Sequence, residues 1–257
     1  MTANIALKHL ETVLNPRRRA EETPVPLGHA GADAVLGGGL KRAALHEVFA
    51  PAGHESAATG FAACLAARLA ANRSMLWIRQ DYCALEFGEL AATGLLELGL
   101  APARVLVMRA AQAEDGLRAA LEALRCRALG AVVIELCGNP KDLDLTASRR
   151  LTLAAEENGV AALMLRFTAR IEPGSAQTRW RVRAAPSPDE EENWGQPRIE
   201  AELLRNRQGG TGCWVMEWSC DDGIFRDPAT DRGAVVSAAG DRPAPAALAK
   251  ERRTAAA

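Results

Sequence analysis

Lysine is scarce in this chain. Only four of the 257 residues are lysine, and they follow Leu7, Leu40, Pro140 and Ala249 rather than a glycine. A phosphate-binding loop of the form G-x-x-x-x-G-K-[S/T] needs a Gly-Lys pair, because its lysine contacts the terminal phosphates of the nucleotide. The sequence therefore excludes a P-loop ATPase with an intact motif.

Cysteine pairs and long apolar runs are missing as well. The six cysteines form no C-x-x-C pair, and several lie in apolar segments, so we expect reduced thiols and no metal site. No apolar stretch reaches 18 residues, and the N-terminal segment has charges at Lys8 and Glu11 but no apolar core of a signal peptide. These absences predict a cytoplasmic chain with no membrane segment and no cofactor.

The charges of the chain nearly cancel. Lysine and arginine total 31 residues against 32 of aspartate and glutamate, which gives a formal net charge of −1. Net charge therefore provides no general attraction to nucleic acid, and any such contact would need local clusters of arginine. With 48% hydrophobic residues, the composition predicts a soluble chain with one substantial core, or at most two small ones.

The two ends of the chain are expected to lie outside its main domain. Residues 1–22 would form an N-terminal helix with Leu7, Leu10 and Leu14 on one face, followed by a basic segment. That helix would either dock on a partner or pack on its own domain. Residues 229–257 consist largely of alanine, proline and charged residues, and this composition predicts a disordered tail.

Residues 23–228 alternate short apolar runs with helical periods, which predicts an α/β domain whose sheet is mostly parallel and flanked by helices. Strands are expected near Ala44–Phe49, Met75–Ile78, Val105–Met108, Ala131–Leu136 and Val160–Leu165. Helices are expected near Thr59–Ala71, Leu85–Leu98, Asp115–Leu129 and Thr146–Asn158. Gly159 directly follows the last helix and is a candidate C-cap.

The C-terminal part of this domain has a different pattern. The segment Gln177–Arg183 alternates strictly, so Arg179, Arg181 and Arg183 would share one face of a strand opposite a buried face. That basic face would bind phosphates or an acidic partner, or would only protect a sheet edge. An acidic loop at residues 185–197 would follow. A hairpin made of Ile199–Arg207 and Cys213–Trp218 would then extend the same sheet with antiparallel strands.

The stretch Pro51–Gly60 follows the first expected strand, which is the place of a P-loop in many ATPases. It keeps Gly53, Ser56, Thr59 and Gly60, but small apolar residues stand where the lysine belongs, and Glu55 would repel a triphosphate. The fourth expected strand ends in Glu135, where an ATPase has a carboxylate that organises magnesium. The sequence predicts a degenerate nucleotide site that does not support catalysis.

Several blocks resemble one known family. They are the motif G-G-G-L-x-x-x-x-L-H-E-V at residues 37–48, the segment Leu145–Glu156, the segment Thr178–Val182, and Leu203–Arg207 with Trp214–Trp218. Their order resembles the ImuA family, RecA-like and SulA-related accessory proteins of damage-induced mutagenesis in bacteria. The resemblance implies a RecA-like core and a noncatalytic role in SOS-induced, error-prone translesion DNA synthesis, at the nucleoid during DNA damage.

The same resemblance implies partners. These are an ImuB-like protein, which is an inactive Y-family polymerase, and a DnaE2-type polymerase in the same complex. The lysine-free RecA-like scaffold and the arginine clusters add RecA and single-stranded DNA as candidate partners. Surface arginines are the candidate contacts, because guanidinium groups suit phosphates and acidic surfaces. They are Arg149 and Arg150 in a helix, the three arginines of the alternating strand, and Arg205 and Arg207 at the hairpin end.

Two other functions compete with the adaptor. The first is an ATPase that borrows a cation from itself or from a neighbouring subunit, for which Lys41 and Arg42 are the nearest candidates in sequence. The second is an inhibitor of cell division, which the SulA-related part of the family suggests. Tight nucleotide binding would distinguish the first, and long undivided cells with normal damage-induced mutation would distinguish the second.

Overall fold

The computed structural model describes residues 23–187 and 196–228. The strands are β1 (Leu45–Ala50), β2 (Ser74–Gln80), β3 (Val105–Ala110), β4 (Leu129–Cys137), β5 (Ala161–Phe167), β6 (Thr178–Ala184), β7 (Arg198–Asn206), β8 (Gly212–Ser219) and β9 (Ile224–Arg226). The α-helices are α1 (Ala30–Val35), α2 (Glu55–Ala70), α3 (Asp81–Phe87), α4 (Ala92–Glu97), α5 (Ala113–Leu124) and α6 (Leu145–Asn158), with a 3₁₀ turn at Pro102–Arg104.

All nine of these strands join one sheet in the order β3-β2-β4-β5-β1-β6-β7-β8-β9. The strands from β3 to β6 in this order are parallel, whereas β7, β8 and β9 pair antiparallel. The predicted α/β class, with a mostly parallel sheet extended by antiparallel strands, is confirmed. No helix in the described ranges has the length and apolarity needed to cross a bilayer.

The sheet has a core on each face. On one face α2 packs across the middle strands, and its small residues allow its larger side chains, such as Phe61 and Leu65, to reach the sheet. An aromatic group made of Phe61, Trp180, Trp218 and Phe225 continues this core toward β9. On the opposite face α5 and α6 cover β4, β5 and part of β1. We call these two sides the α2 face and the α6 face.

Some of the helices and strands differ from those expected from the sequence. The single helix predicted at Leu85–Leu98 is two short helices, α3 and α4, because the chain turns at Gly88 with φ +80°. The short helix α1 and the last strand β9 were not predicted. In contrast, α6 ends as expected, since Gly159 adopts φ +67° and caps the helix. The predicted N-terminal helix, the acidic run Asp189–Glu192 and the tail lie outside the described residues.

A buried histidine ties the start of β1 to β6. His46 Nδ1 lies 2.8 Å from Thr178 Oγ1, and its Nε2 lies 2.8 Å from the carbonyl oxygen of Lys41. Trp180 Nε1 also donates to Thr178 Oγ1 over 3.0 Å. The Lys41 carbonyl can only accept, so His46 is held as the neutral tautomer that is protonated on Nε2. Burial lowers the pKa of His46 to about 4.

This histidine predicts acid sensitivity. The pKa of His46 is about 4 in the native state and near 6.5 in the unfolded chain. The contribution of neutral His46 to the free energy of unfolding is therefore fully present above pH 6.5 and is lost progressively as the pH falls toward 4. Between pH 7 and pH 5, we expect the free energy of unfolding to fall by about 2 kcal/mol more in the wild type than in His46→Gln. Urea unfolding at both pH values measures this difference, and equal losses in the two proteins would contradict it.

Candidate functional site

The loop after β1 has a hydrogen bond to a carboxylate of its own chain. Gly53, at φ +83°, donates its backbone N–H to Glu55 Oε1 over 3.2 Å, and Glu55 is the first residue of α2. His54 links the loop to β6, since its Nδ1 accepts the backbone N–H of Ala184 over 3.1 Å. Free backbone N–H groups at a helix N-terminus form the anion site of a P-loop. Here the Glu55 carboxylate, on the first residue of α2, accepts the Gly53 N–H and adds a negative charge beside the helix N-terminus.

The remaining candidate phosphate ligands are helical rather than part of a loop. The expected loop Pro51–Gly60 ends at His54, because α2 begins four residues earlier than predicted. Thr59 donates its hydroxyl to the carbonyl oxygen of Glu55 over 2.8 Å, and Ser56 and Gly60 lie in the first two turns of the helix. Gly53 is therefore the one glycine of this stretch that remains in a loop.

Glu135, the carboxylate predicted to stand where magnesium would be organised, is locked in a buried ion pair. Its side chain is fully buried, and Arg79 of the adjacent strand β2 donates Nε to Oε2 over 2.9 Å and Nη2 to Oε1 over 2.7 Å. Trp77 donates its indole N–H to Oε2 over 2.8 Å. A two-pronged pair of this kind satisfies both carboxylate oxygens. Glu135 therefore has a structural partner on each oxygen.

A wider network surrounds this pair. Arg79 also donates to the carbonyl oxygen of Gly88 over 2.8 Å and lies 3.3 Å from Glu89 Oε2. Arg109 of β3 bridges Glu89 and Asp81. Together with Glu55 and Glu135, the groups of this network and the adjacent loop are four carboxylates and two guanidinium groups, so this cluster has two negative charges in excess. An ATPase needs the opposite sign there, because its substrate is an anion.

A cavity of about 200 Å³ opens beside this network, between the first turns of α2 and the segment that contains α3 and α4. Its polar lining includes Glu55, Thr59, Arg79 and Glu89. Its apolar lining is formed by Phe87, Leu90, Leu95, Leu98 and Phe167. The cavity lies at the carboxyl ends of the parallel strands, where ligands bind in open α/β sheets. It is therefore the candidate functional site.

The cations that a borrowed-residue ATPase would need lie at the other end of the sheet. Lys41 and Arg42 precede β1, whereas the degenerate loop follows it. Lys41 Nζ pairs with Glu156 Oε1 at 3.0 Å, and Arg42 donates to the carbonyl oxygen of Leu69, near the last residue of α2. A six-residue strand spans about 17–20 Å. Neither side chain can therefore supply the missing charge within one chain.

The predicted basic face of β6 is largely neutralised. Arg179 is only 6% exposed and pairs with the buried Glu47 of β1, so the expectation of an exposed arginine at this position was wrong. Arg181 pairs with Glu202 at 2.9 Å and Arg183 with Glu200 at 2.8 Å, both across to β7. Because β6 lies between β1 and β7, it is an interior strand and needs no edge protection.

The other candidate arginines differ in exposure. Arg149 and Arg150 lie on α6, are exposed, and belong to no ion pair within the described ranges. Arg205 is half-buried and donates to the carbonyl oxygen of Gly174 over 3.2 Å, whereas Arg207 is exposed at the hairpin end. The structure does not bring the α6 pair and the hairpin arginines into one ion-pair network. Of these four, Arg149, Arg150 and Arg207 are the most accessible to a partner.

Sequence reasoning missed the residues that hold the site together. Arg79, Glu89 and Glu47 were not singled out, although Arg79 and Glu135 each directly follow an apolar run near the end of a strand. Two opposite charges at the ends of neighbouring buried strands are a usable signal, because a buried charge requires a partner. The signal becomes specific only when the neighbouring strands are known.

Comparison with known proteins identifies the family of the chain. No protein-family model matches the chain. Protein ImuA from Caulobacter vibrioides, strain NA1000 / CB15N, is 32% identical over 217 residues, which cover 76% of this chain and 84% of the relative. Protein ImuA from a second strain of the species, ATCC 19089 / CIP 103742 / CB 15, matches to the same extent. The chain belongs to the ImuA family. The resemblance inferred from the ordered sequence blocks is thereby confirmed, and the buried Glu135 and the acidic cavity are features of an ImuA-family chain.

Proposed function

We propose that this ImuA-family chain is a noncatalytic adaptor of SOS-induced, error-prone translesion DNA synthesis, built on a RecA-like scaffold. The observation that supports the proposal most directly is the buried pair of Glu135 with Arg79. In a working ATPase the corresponding carboxylate must face magnesium. Here both of its oxygens already accept hydrogen bonds from arginine and tryptophan.

The absence of a catalytic lysine points the same way. Loss of one preorganised donor commonly costs a factor of about 10²–10³ in rate, and the missing lysine is such a donor. Magnesium would have to displace Arg79 from Glu135 in a fully buried position, and breaking such a pair leaves an uncompensated charge. Glu55 adds repulsion at the position of the phosphates. Hydrolysis of ATP is therefore not the proposed role.

The proposed partners have two sources. The family resemblance implies an ImuB-like inactive Y-family polymerase and a DnaE2-type polymerase in the same complex, and the lysine-free scaffold with its arginine clusters adds RecA and single-stranded DNA. We assign contact with phosphates or an acidic partner surface to the exposed arginines Arg149, Arg150 and Arg207. Arg179 is excluded from that surface by its burial with Glu47, and Arg181, Arg183 and Arg205 are secondary because each already has a partner.

A pull-down tests the adaptor role. The tagged chain is purified from DNA-damaged and undamaged cells of its own host, with nuclease treatment, and its companions are identified by mass spectrometry. We expect polymerase-like proteins among the companions after damage. Nuclease treatment ensures that a shared DNA fragment does not account for their recovery. Recovery of a division protein alone, or of no companion, would contradict the adaptor role.

A thermal shift separates the adaptor from an ATPase. A ligand present at 100 times its dissociation constant stabilises the native state by about 2.7 kcal/mol. We expect no such shift with ATP and magnesium, because the loop lacks a cation and Glu55 already accepts the Gly53 N–H. A lysine-containing P-loop ATPase measured in the same buffer is the positive control. A saturable shift of the melting temperature would restore nucleotide binding to first place.

A further inference from the structure

The cavity beside α2 has more acidic than basic side chains in its lining. Its lining contains the carboxylates of Glu55 and Glu89 and one guanidinium group, that of Arg79. Arg79 is bound to Glu135, Glu89 and the Gly88 carbonyl, and Glu89 also pairs with Arg109. Glu55 uses one oxygen to accept the Gly53 N–H, and no hydrogen bond from a described residue reaches its Oε2. A cation entering here would gain a carboxylate partner without breaking an existing ion pair.

The shape of the cavity narrows the choice of cation. Its volume of about 200 Å³ is below that of pockets for drug-sized ligands, which are typically about 300–1,000 Å³. Its floor is apolar, with Phe87, Leu95, Leu98 and Phe167. Arginine and lysine bury their methylene groups along such surfaces while the charged end stays near solvent or a counter-charge. A small metal ion would leave the apolar floor without a partner.

We propose that this cavity receives an arginine side chain of a protein partner, presented between apolar residues of a short segment. The methylene groups would lie on Phe87 and Leu95, and the guanidinium group would meet Oε2 of Glu55 at the mouth. We call this cavity, with Glu55 at its mouth and Phe87, Leu95, Leu98 and Phe167 on its floor, the socket. It lies beside the loop that the sequence predicts to be a degenerate nucleotide site. The proposal rests on the proposed adaptor function only for the identity of the partner, since the chemistry of the socket is independent of it.

Short peptides test the socket directly. Acetyl-Leu-Arg-Leu-amide is titrated into the full chain, and amide resonances of Gly60, Gly88 and Gly94, which line the cavity, are followed by NMR. The same peptide with citrulline in place of arginine has nearly the same shape without the charge. We expect saturable shifts at these glycines with the arginine peptide and at least about tenfold weaker binding of the citrulline peptide. Equal binding of both peptides, or shifts elsewhere only, would overturn the proposal.

A cavity-filling substitution provides a second test that does not depend on destabilisation. Gly60 lies in α2 with ordinary helical geometry, and a Cβ added there would have only Leu98 Cδ1 within reach, at 4.0 Å. Gly60→Leu should fill the cavity, whereas Gly60→Ala is the matched control that leaves most of it open. Both changes remove a helical glycine, so we expect melting temperatures at or above that of the wild type.

The two glycine variants should differ in binding. We expect Gly60→Leu to weaken the arginine peptide at least about tenfold and Gly60→Ala to change it less than about twofold. Glu55→Gln keeps an acceptor for the Gly53 N–H but removes the charge, so it should weaken the peptide and reduce the salt dependence of binding. Unchanged affinity in Gly60→Leu would overturn the socket.

Capture of the polymerase-like partner separates this proposal from the adaptor role. If the wild type captures that partner and Gly60→Leu does not, while Gly60→Ala does, the socket is the docking site. If all three capture it equally, the socket is wrong and the adaptor role stands. If none captures it, the adaptor role is wrong, and the peptide titration alone decides whether the cavity binds arginine.

Discussion

Replacing Arg79 with methionine is expected to lower the free energy of unfolding by about 3–5 kcal/mol, because the buried Glu135 would lose its counter-charge. Methionine has a similar length and no polar group, so the change removes the charge and hydrogen bonds while it keeps much of the packing. The total stability of a domain is commonly about 5–15 kcal/mol. This single change would therefore remove a large fraction of it. Urea unfolding at pH 7 measures the loss.

A double variant shows whether the loss comes from the unpaired charge. Arg79→Met combined with Glu135→Gln removes both charges and keeps a carbonyl acceptor for the Trp77 indole N–H. We expect the double variant to be more stable than Arg79→Met alone, because a buried pair replaced as a whole costs far less than one that is broken. If the double variant were no better than the single one, Arg79 would act through its contacts with Gly88 and Glu89 instead.

The same pair illustrates what the sequence could and could not predict. Apolar runs such as Ala131–Leu136 identified the parallel strands to within about two residues. In β4 the run reflects continuous burial, whereas the edge strand β3 is apolar in sequence but mostly exposed. The pairing of Arg79 with Glu135 depends on β2 lying next to β4, and the two residues are 56 positions apart. Strand order is a property of the whole sheet, and the local pattern around either residue does not contain it.

At the candidate site, the boundary between the loop after β1 and helix α2 could be predicted only in part. A loop does follow β1, as the end of the apolar run at Phe49 indicated. The start of α2 was predicted four residues too late, because Ser56, Ala57 and Ala58 suit either a loop or a helix. The acid at the first helical position, Glu55, favours a helix N-terminus and was the available signal. Tertiary packing of the alanine-rich helix on the sheet decides between the two.

The alternating arginines of β6 were the least predictable feature. Strict alternation correctly indicated one fully buried face, with Trp180 and Val182 in the core. It could not show that β1 and β7 flank the strand and supply Glu47, Glu200 and Glu202 to the other face. Glu47 and Arg179 are 132 residues apart, and their pairing depends on the parallel register of β1 with β6. The three arginines on this side of β6 are thus neutralised by three carboxylates from the neighbouring strands β1 and β7.

This correction leads to a second large expected effect. Arg179→Glu would place a carboxylate beside Glu47 in a buried position, and we expect it to destabilise the chain by about 5 kcal/mol or more. Little room exists for the new side chain to escape, because the Arg179 guanidinium packs directly against Gly174. Loss of folded protein, measured by circular dichroism and urea unfolding, is the expected outcome. A stability within about 1 kcal/mol of the wild type would contradict the buried pair.

Loss of partner binding in Arg179→Glu would therefore say nothing about a contact surface, whereas charge reversal on α6 would. Arg149→Glu with Arg150→Glu changes two exposed residues near the N-terminal end of a helix, where acidic groups are tolerated or favoured. We expect the free energy of unfolding to change by less than about 0.5 kcal/mol.

If these arginines bind phosphates, affinity for a fluorescent oligothymidine should weaken, and the slope of log affinity against log salt concentration should fall by about 0.7 for each phosphate that is no longer neutralised. The neutral pair Arg149→Gln with Arg150→Gln should show an intermediate affinity and the same reduction in slope. An unchanged slope in a folded variant would remove α6 from the nucleic-acid surface and leave the hairpin residue Arg207 as the remaining exposed candidate of the described set.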